Sequence, residues 1–200
     1  MSAVPAHFAD VLDRLKAETR GEHTAMEGTL DVMRDDFSLR DYRQLLERYF
    51  DFYAPVEAQL ACVLPSALPG LDFETRRKLP LLRADLAVLG GRAEDTLAVG
   101  NALPPLHTPA QAVGCLYVLE GATLGGQIIS RHVRRTLGLT PETGARFFHG
   151  NGARTADMWR TFRAALDGFA ADPATADAVV ESANATFRSM RRWCMGGHVP

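Results

Sequence analysis

The sequence lacks several features that define large classes of proteins. Its 200 residues include three cysteines, Cys62, Cys115 and Cys194, which stand alone along the chain. An odd number of cysteines without a Cys-x-x-Cys pair argues against a disulfide framework or a zinc site, so we expect free thiols in a reducing cytoplasm. The net charge is −2 and hydrophobic residues make up 46% of the chain. This balance argues against disorder and against a nucleic-acid-binding surface.

Membrane and strand signals are also missing. No basic-plus-apolar signal peptide opens the chain, and charged residues or glycines interrupt the longest apolar runs well short of a membrane span. The alternation typical of strands, internal repeats and low-complexity tracts are absent. We therefore predict an all-α, cytoplasmic, single-domain protein over residues 1–200, with frayed ends at about 1–6 and 195–200.

Helical signals cover most of the chain. Ser38 with Asp41 resembles a capping box, and Thr108 followed by Pro109 is a strong start signal. We predict helices over about 8–30, from 38 to a kink or an end at 55, and over about 72–90, 108–138, 155–169 and 173–193. Proline-bearing loops are expected at about 64–70 and 101–107.

The predicted helix 108–138 carries three glycines within six residues, Gly121, Gly125 and Gly126. Each glycine inside a helix costs about 1 kcal/mol relative to alanine, so their presence needs a reason. Gly121 and Gly125 are one turn apart and share a face, which suits a flat, rigid ligand lying against the helix. The alternative is close packing against another helix, which the glycines taken alone favour.

A histidine lies on the apolar stripe of the first predicted helix. The stripe consists of Phe8, Leu12, Leu15, Thr19, His23, Met26 and Leu30. Lys16 and Arg20 fall within about 60° of the azimuth of His23, and Glu27 lies one turn later. A neutral imidazole is a good iron ligand, a carboxylate can fix its tautomer, and the cations suit the acidic edge of a planar ligand. The alternative is an ordinary core histidine.

Taken together, these two patterns resemble the haem oxygenase family. The resemblance is carried by Leu15-Lys16-x-x-Thr19-Arg20-x-x-His23-x-x-x-Glu27 and Gly121-x-x-x-Gly125-Gly126-Gln127, with a weaker match at Phe147-Phe148 followed by Trp159-Arg160-x-Phe162. The stretch from Tyr117 to Gly126 is similar to members associated with bacterial phytochromes. The resemblance implies a multi-helix bundle that holds haem b between the first helix and the glycine helix.

The resemblance also implies a reaction and its participants. Haem would be cleaved to biliverdin, carbon monoxide and ferrous iron with O2 and external electrons, by default at the α meso carbon. The electron donor would be a ferredoxin- or flavodoxin-type protein or a reductase. The product would serve iron acquisition or supply a bacterial phytochrome that accepts the bilin. No nucleic-acid or membrane partner is implied.

The resemblance also implies roles for individual residues. His23 would be the proximal iron ligand, and Gly121, Thr123, Gly125 and Gly126 would form the catalytic face on which oxygen binds. Further haem contacts are expected from Lys16, Arg20, Glu27, Tyr117, Ala122, Gln127 and Arg160. Lys16 and Arg20 are the first choices for the haem propionates, and Arg160 and Arg163 the second. His132 and His149 are ligands only in principle.

One position departs from the family pattern. Mammalian-type members carry an aspartate directly after the first glycine, where it organises water, whereas this chain has Ala122. Either another group, such as Thr123 or Gln127, organises the water, or activity is weakened, or the chain only binds haem as a carrier or sensor. A thiaminase-like hydrolase using Cys115 and a di-iron oxygenase are further alternatives on the same fold. The Glu-x-x-His pairs that a di-iron site needs are absent from the sequence.

Overall fold

A computed structural model describes residues 10–93 and 103–195, and in these ranges it contains helices and no strands. The all-α prediction is therefore confirmed. The helices are α1 (Val11–Glu18), α2 (Arg20–Leu30), α3 (Leu39–Ala67), α4 (Leu79–Leu89), α5 (Pro109–Leu137), α6 (Arg146–His149), α7 (Thr155–Phe169) and α8 (Pro173–Cys194), with short 3-10 turns at Glu74–Arg76 and Gly152–Arg154.

The predicted helix ends agree with the structure where a local cap defines them. Ser38 and Asp41 form a full capping box before α3, and Thr108 and Gln111 form another before α5. At the C-termini of α4 and α5, Gly90 and Gly138 adopt the left-handed conformation that ends a helix.

The first predicted helix is wrong as a single element. The chain bends at Thr19 into α1 and α2, and the Thr19 hydroxyl donates a hydrogen bond to the Leu15 carbonyl at 2.7 Å. Such bonds from threonine to its own helix bend helices. Phe8, the first residue of the predicted stripe, lies outside the described residues.

The region between α3 and α4 also differs from the prediction. α3 continues through Pro55 and Pro65 to Ala67, so the predicted loop at 64–70 is wrong over its first half. Tyr53, Val56 and Leu60 are buried on the same helix, and this packing compensates for the hydrogen bond that each proline removes. The predicted helix 72–90 begins only at Leu79.

Two buried carboxylates cap helices from a distance. Glu57 accepts the backbone N–H groups of Lys78, at 2.5 Å, and Leu79, at 3.2 Å, and so fixes the start of α4. Asp85 accepts those of Arg146, at 2.9 Å, and Phe147, at 2.8 Å. The four-residue α6 was not predicted, because its cap lies about sixty residues away on α4.

α5 is the central helix and packs against α3, α6, α7 and α8. It is the one helix in the described ranges that is long and apolar enough to cross a membrane by length and composition. However, 61% of its most apolar stretch is buried inside the fold, as in the core helix of a soluble protein.

Candidate functional site

A cavity of about 490 Å³ lies between α2, α5 and α8, within the roughly 300–1,000 Å³ typical of small-molecule sites. Most of its lining is apolar or aromatic. α2 contributes His23, Met26, Glu27 and Leu30, α5 contributes residues from Tyr117 to Ile129, and the remaining walls come from Val32, Met33, Tyr49, Tyr53, Lys78, Phe147, Phe148, Trp159, Phe187 and Met190.

His23 stands at the edge of this cavity. Its ring meets Phe187 of α8 edge-on, with 5.6 Å between ring centroids, while 55% of its side chain is exposed. Its Nδ1 lies 3.5 Å from a carboxylate oxygen of Glu27. An imidazole oriented through Nδ1 offers Nε2 as its ligand atom. The partly exposed ring differs from the enclosed core histidine that was the alternative.

Two of the three glycines leave one face of α5 bare. A Cβ built on Gly121 or on Gly125 meets no atom outside its own stretch of helix within 4 Å, and both residues line the cavity. A Cβ on Gly126 would lie 3.1 Å from the carbonyl oxygen of Phe148. Gly121 and Gly125 thus provide room for a flat ligand, whereas Gly126 provides close packing against α6, so both interpretations of the glycines apply.

The polar side chains around these glycines donate hydrogen bonds to backbone carbonyls. The hydroxyl of Thr123 donates to the carbonyl of Leu119 at 3.1 Å, and the Gln127 amide donates to the carbonyl of His149 at 2.7 Å. Thr123 lines the cavity together with Ala122, while Gln127 lies outside the lining. The donor used in each of these bonds is thus engaged, whereas the lone pairs of the Thr123 hydroxyl and the oxygen of the Gln127 amide can still accept hydrogen bonds from water.

The cations predicted to contact the ligand stand outside the cavity lining. Lys16 pairs with Asp13 at 3.3 Å, and Arg160, whose side chain is 77% exposed, pairs with Asp157 at 2.7 Å. Arg20 is exposed on α2. Three further residues also lie outside the lining, namely the second-choice cation Arg163 and the histidines His132 and His149. The structure thus brings His23, Glu27, Tyr117, Thr123 and Ala122 together with the glycines, and leaves the predicted propionate ligands apart from them.

Cys115 gives no support to a cysteine-dependent hydrolase. It is buried, does not line the cavity, and burial raises the pKa of its thiol to about 12. A thiol with such a pKa is almost entirely protonated at neutral pH and is a poor nucleophile.

Sequence reasoning missed a group of buried charges beside the cavity. Arg76 pairs with Glu120 at 3.0 Å, and both side chains are almost fully buried. Lys78, also buried, lines the cavity itself. These residues lie 42 or more positions from Glu120 in sequence, so no local spacing connects them. The run Arg76-Arg77-Lys78 beside an apolar segment was the available signal.

Burial shifts the pKa values of Glu57 and Lys78. Removal from water raises the pKa of Glu57, against the lowering effect of the N–H groups of Lys78 and Leu79 and of the Arg77 guanidinium. Burial lowers the pKa of Lys78, while the carboxylates of Glu120 and Glu57 raise it. The site therefore contains ionisable groups held in a poorly hydrated environment.

The residues present suit a planar, iron-containing ligand. A largely apolar cavity, two glycines whose Cβ positions are open, and an imidazole with a carboxylate beside it meet in one place. Among the described residues, no group of three or more His, Cys, Asp or Glu side chains could hold a bare metal ion.

Comparison with known proteins gives a consistent result. The family described as "Heme oxygenase" matches residues 9–195. A heme oxygenase of Xanthomonas campestris pv. campestris (strain 8004) is 38% identical over 94 residues, which are 47% of this chain and 53% of that protein. The aligned stretch thus spans about half the length of that relative.

Solved structures share the fold. The NO- and CO-bound heme oxygenase from Neisseria meningitidis superposes with a TM-score of 0.76 at 23% identity, covering 94% of each chain. Heme oxygenase from Leptospira interrogans gives a TM-score of 0.76 at 18% identity, covering 94% of this chain and 99% of that one.

Proposed function

The chain belongs to the haem oxygenase family, and from this premise we propose that it cleaves haem to biliverdin, carbon monoxide and ferrous iron with O2 and external electrons. One observation carries the proposal. The faces of Gly121 and Gly125 that bear no side chain open into the same cavity as His23.

His23 is the residue that would hold the iron. Glu27, at 3.5 Å from Nδ1, would orient the imidazole and leave Nε2 as the atom that binds iron. A neutral imidazole is the proximal ligand of many haem proteins. When bound, haem supplies both the substrate and the iron at which O2 reacts.

The glycine face determines what can fit on the other side of the ligand. Without side chains at 121 and 125, the backbone of α5 is open towards the cavity and would limit the space available to a small molecule bound there. The adjoining wall of Tyr49, Tyr53, Phe147 and Phe148 is buried and excludes bulk water. This enclosure directs reactivity towards the ring of the ligand and away from solvent.

The ligand's carboxylates would lie at the solvent-exposed edge of the cavity. Lys16, Arg20 and Arg160 remain our candidates to bind them, since all three are exposed cations. The pairs of Lys16 with Asp13 and of Arg160 with Asp157 are solvent-exposed, and exposed ion pairs contribute only about 0–1 kcal/mol, so these cations can exchange partners readily.

The wider role follows from the resemblance. We propose a cytoplasmic enzyme that takes electrons from a ferredoxin- or flavodoxin-type protein or a reductase, which would dock near the basic residues at the edge of the haem. The bilin would pass to a bacterial phytochrome, or the released iron would be retained.

Ala122 favours a second candidate, a haem carrier or sensor that does not turn its ligand over. Its methyl group lines the cavity where mammalian-type members of the family have a carboxylate, and a methyl group cannot hold water. The two functions differ in one measurable outcome, which is the fate of the bound haem.

The test is turnover of the hemin complex. The purified protein is titrated with hemin, then given a reductant system and air in the presence of catalase, which excludes reactions of free peroxide. We expect one-to-one binding, loss of the Soret band and growth of a bilin band. A complex that only autoxidises establishes the carrier. His23→Ala should abolish the histidine-ligated spectrum, and an unchanged Soret band in that variant would refute the assignment of the iron ligand.

A further inference from the structure

Lys78 is the buried cation of the candidate site. It stands just before α4, is 3% exposed and lines the cavity. Within residues 10–93 and 103–195, its enclosed Nζ makes no hydrogen bond. A buried ammonium group is costly unless acceptors satisfy it, so the position of Lys78 indicates a role towards what the cavity binds.

The carboxylates near Lys78 are occupied by other donors. Glu57 accepts the backbone N–H groups of Lys78 and Leu79 and the Arg77 guanidinium, and Glu120 pairs with Arg76. Both carboxylates stabilise the ammonium form electrostatically, against burial and the positive charges of Arg76 and Arg154. Burial and the two guanidinium groups outweigh the carboxylates and lower the pKa of Lys78, and the donors on its Nζ remain available.

The surroundings of Lys78 place it on the side of the glycine helix. The four charged groups that act on it come from α3 (Glu57), α5 (Glu120) and the two 3-10 turns (Arg76 and Arg154), and none belongs to α2, which carries His23. Glu120 directly precedes Gly121 in the chain. Lys78 also lines the same cavity as Gly121 and Gly125.

We propose that Lys78 supplies the hydrogen-bond donor that Ala122 cannot provide: its ammonium holds water at the glycine face and donates to a small oxygen or halide ligand bound there. This inference rests on the proposed function. It is one of only two lysines among the chain's 22 basic residues, and a compact ammonium with three donors suits this task better than a planar guanidinium.

The first experiment uses the natural protein. Lysine labelled with isotope at Cε gives two resonances, from Lys16 and Lys78, and the Lys78→Arg variant assigns them. On addition of zinc protoporphyrin, which is diamagnetic, we expect the Lys78 Hε signals to move upfield, as for protons above the face of an aromatic ring. A downfield shift would place Lys78 at the ring edge beside a propionate and would overturn the proposal.

The second experiment measures fluoride binding to the ferric hemin complex by absorption spectroscopy. Lys78→Met should weaken fluoride affinity at least about tenfold, as expected for loss of a charge-assisted hydrogen bond, while hemin affinity and stoichiometry stay unchanged. Lys78→Arg should restore much of the affinity. The matched control is Arg77→Met, which removes the neighbouring cation that contacts the same Glu57 but does not line the cavity, and should leave fluoride affinity unchanged.

The outcomes separate this inference from the proposed function. If the natural protein binds neither hemin nor zinc protoporphyrin, the proposed function fails. If it binds both and a folded Lys78→Met variant binds fluoride normally, the role of Lys78 is refuted. A loss of hemin affinity in Lys78→Met that disappears with hemin dimethyl ester would show a propionate contact and would also refute it. Should Lys78→Met not fold, the direction of the Lys78 shift decides.

Discussion

Two regions of α5 use glycine for opposite purposes. Near the start of the helix, a Cβ on Gly114 would lie 2.3 Å from the carbonyl oxygen of Val179, because α5 and α8 are in close contact there. About two and three turns further on, a Cβ on Gly121 or Gly125 would meet open space. A glycine in a helix can therefore serve either close packing or ligand binding, and its neighbours in the fold decide which.

Filling the open face with a large side chain should have the largest effect on function. We expect Gly125→Leu to reduce hemin turnover at least about a hundredfold, since leucine would occupy the space for the diatomic ligand. The ligand-free protein should be no less stable, since leucine is a better helix former than glycine by roughly 0.8 kcal/mol. Bilin formation and urea unfolding are the two measurements, and normal turnover would show that this face is not used.

Filling the packed position should instead affect stability. Gly114→Ala should lower the free energy of unfolding by about 1–3 kcal/mol, since backbone atoms of α8 must move to admit even one methyl group. Urea denaturation measures this loss. Hemin affinity of the remaining folded protein should match that of the natural chain, and an unchanged unfolding midpoint would contradict the close contact.

Reversing the charge of the cations outside the cavity should have a smaller effect, and it tests where the propionates of the ligand bind. Replacing both Lys16 and Arg20 with Glu should weaken hemin binding about tenfold, the loss expected from exposed charge interactions, or change which meso carbon is opened. Hemin titration and chromatography of the bilin isomers measure these outcomes. Normal affinity together with a normal isomer would shift the assignment of the propionate ligands to Arg160.

The smallest expected effect comes from a glycine-to-alanine change on the open face, which can be compared directly with the same change at 114. Gly121→Ala should raise the free energy of unfolding of the ligand-free protein by about 0.5–1 kcal/mol, because alanine favours the helix and its Cβ meets no atom. The same substitution is thus expected to stabilise at 121 and destabilise at 114. Equal signs in urea denaturation would remove the distinction between the two regions.

The sequence predicted those parts of the fold that depend on neighbouring residues. The capping boxes at Ser38 and Thr108 and the glycine ends at Gly90 and Gly138 are local signals, and the structure confirms each one. The bend at Thr19 and the continuation of α3 past Pro55 depend instead on packing and on a side-chain hydrogen bond that compete with propensity. Such competition is invisible to a local pattern.

The candidate site likewise contains residues that local spacing could predict and one that it could not. His23, Glu27 and the glycines have helical spacings that place them on shared faces, so the sequence could bring each set together, and both line the cavity. Lys78 could not be found like this, because its surroundings come from α3, α5 and two turns. The assignment of Lys16 and Arg20 to the propionates rests on their azimuth and on the resemblance, and that of Arg160 on the resemblance, so their roles remain predictions.

The carboxylate of Asp85 has a consequence for the kinetics of folding. α6 has only four residues, too few to nucleate a helix by itself, and its first N–H groups are satisfied by Asp85 of α4. α6 also carries Phe147 and Phe148, which wall the cavity. The wall should accordingly form late, after α4 has docked, so Asp85→Ala should mainly speed unfolding and leave the refolding rate nearly unchanged.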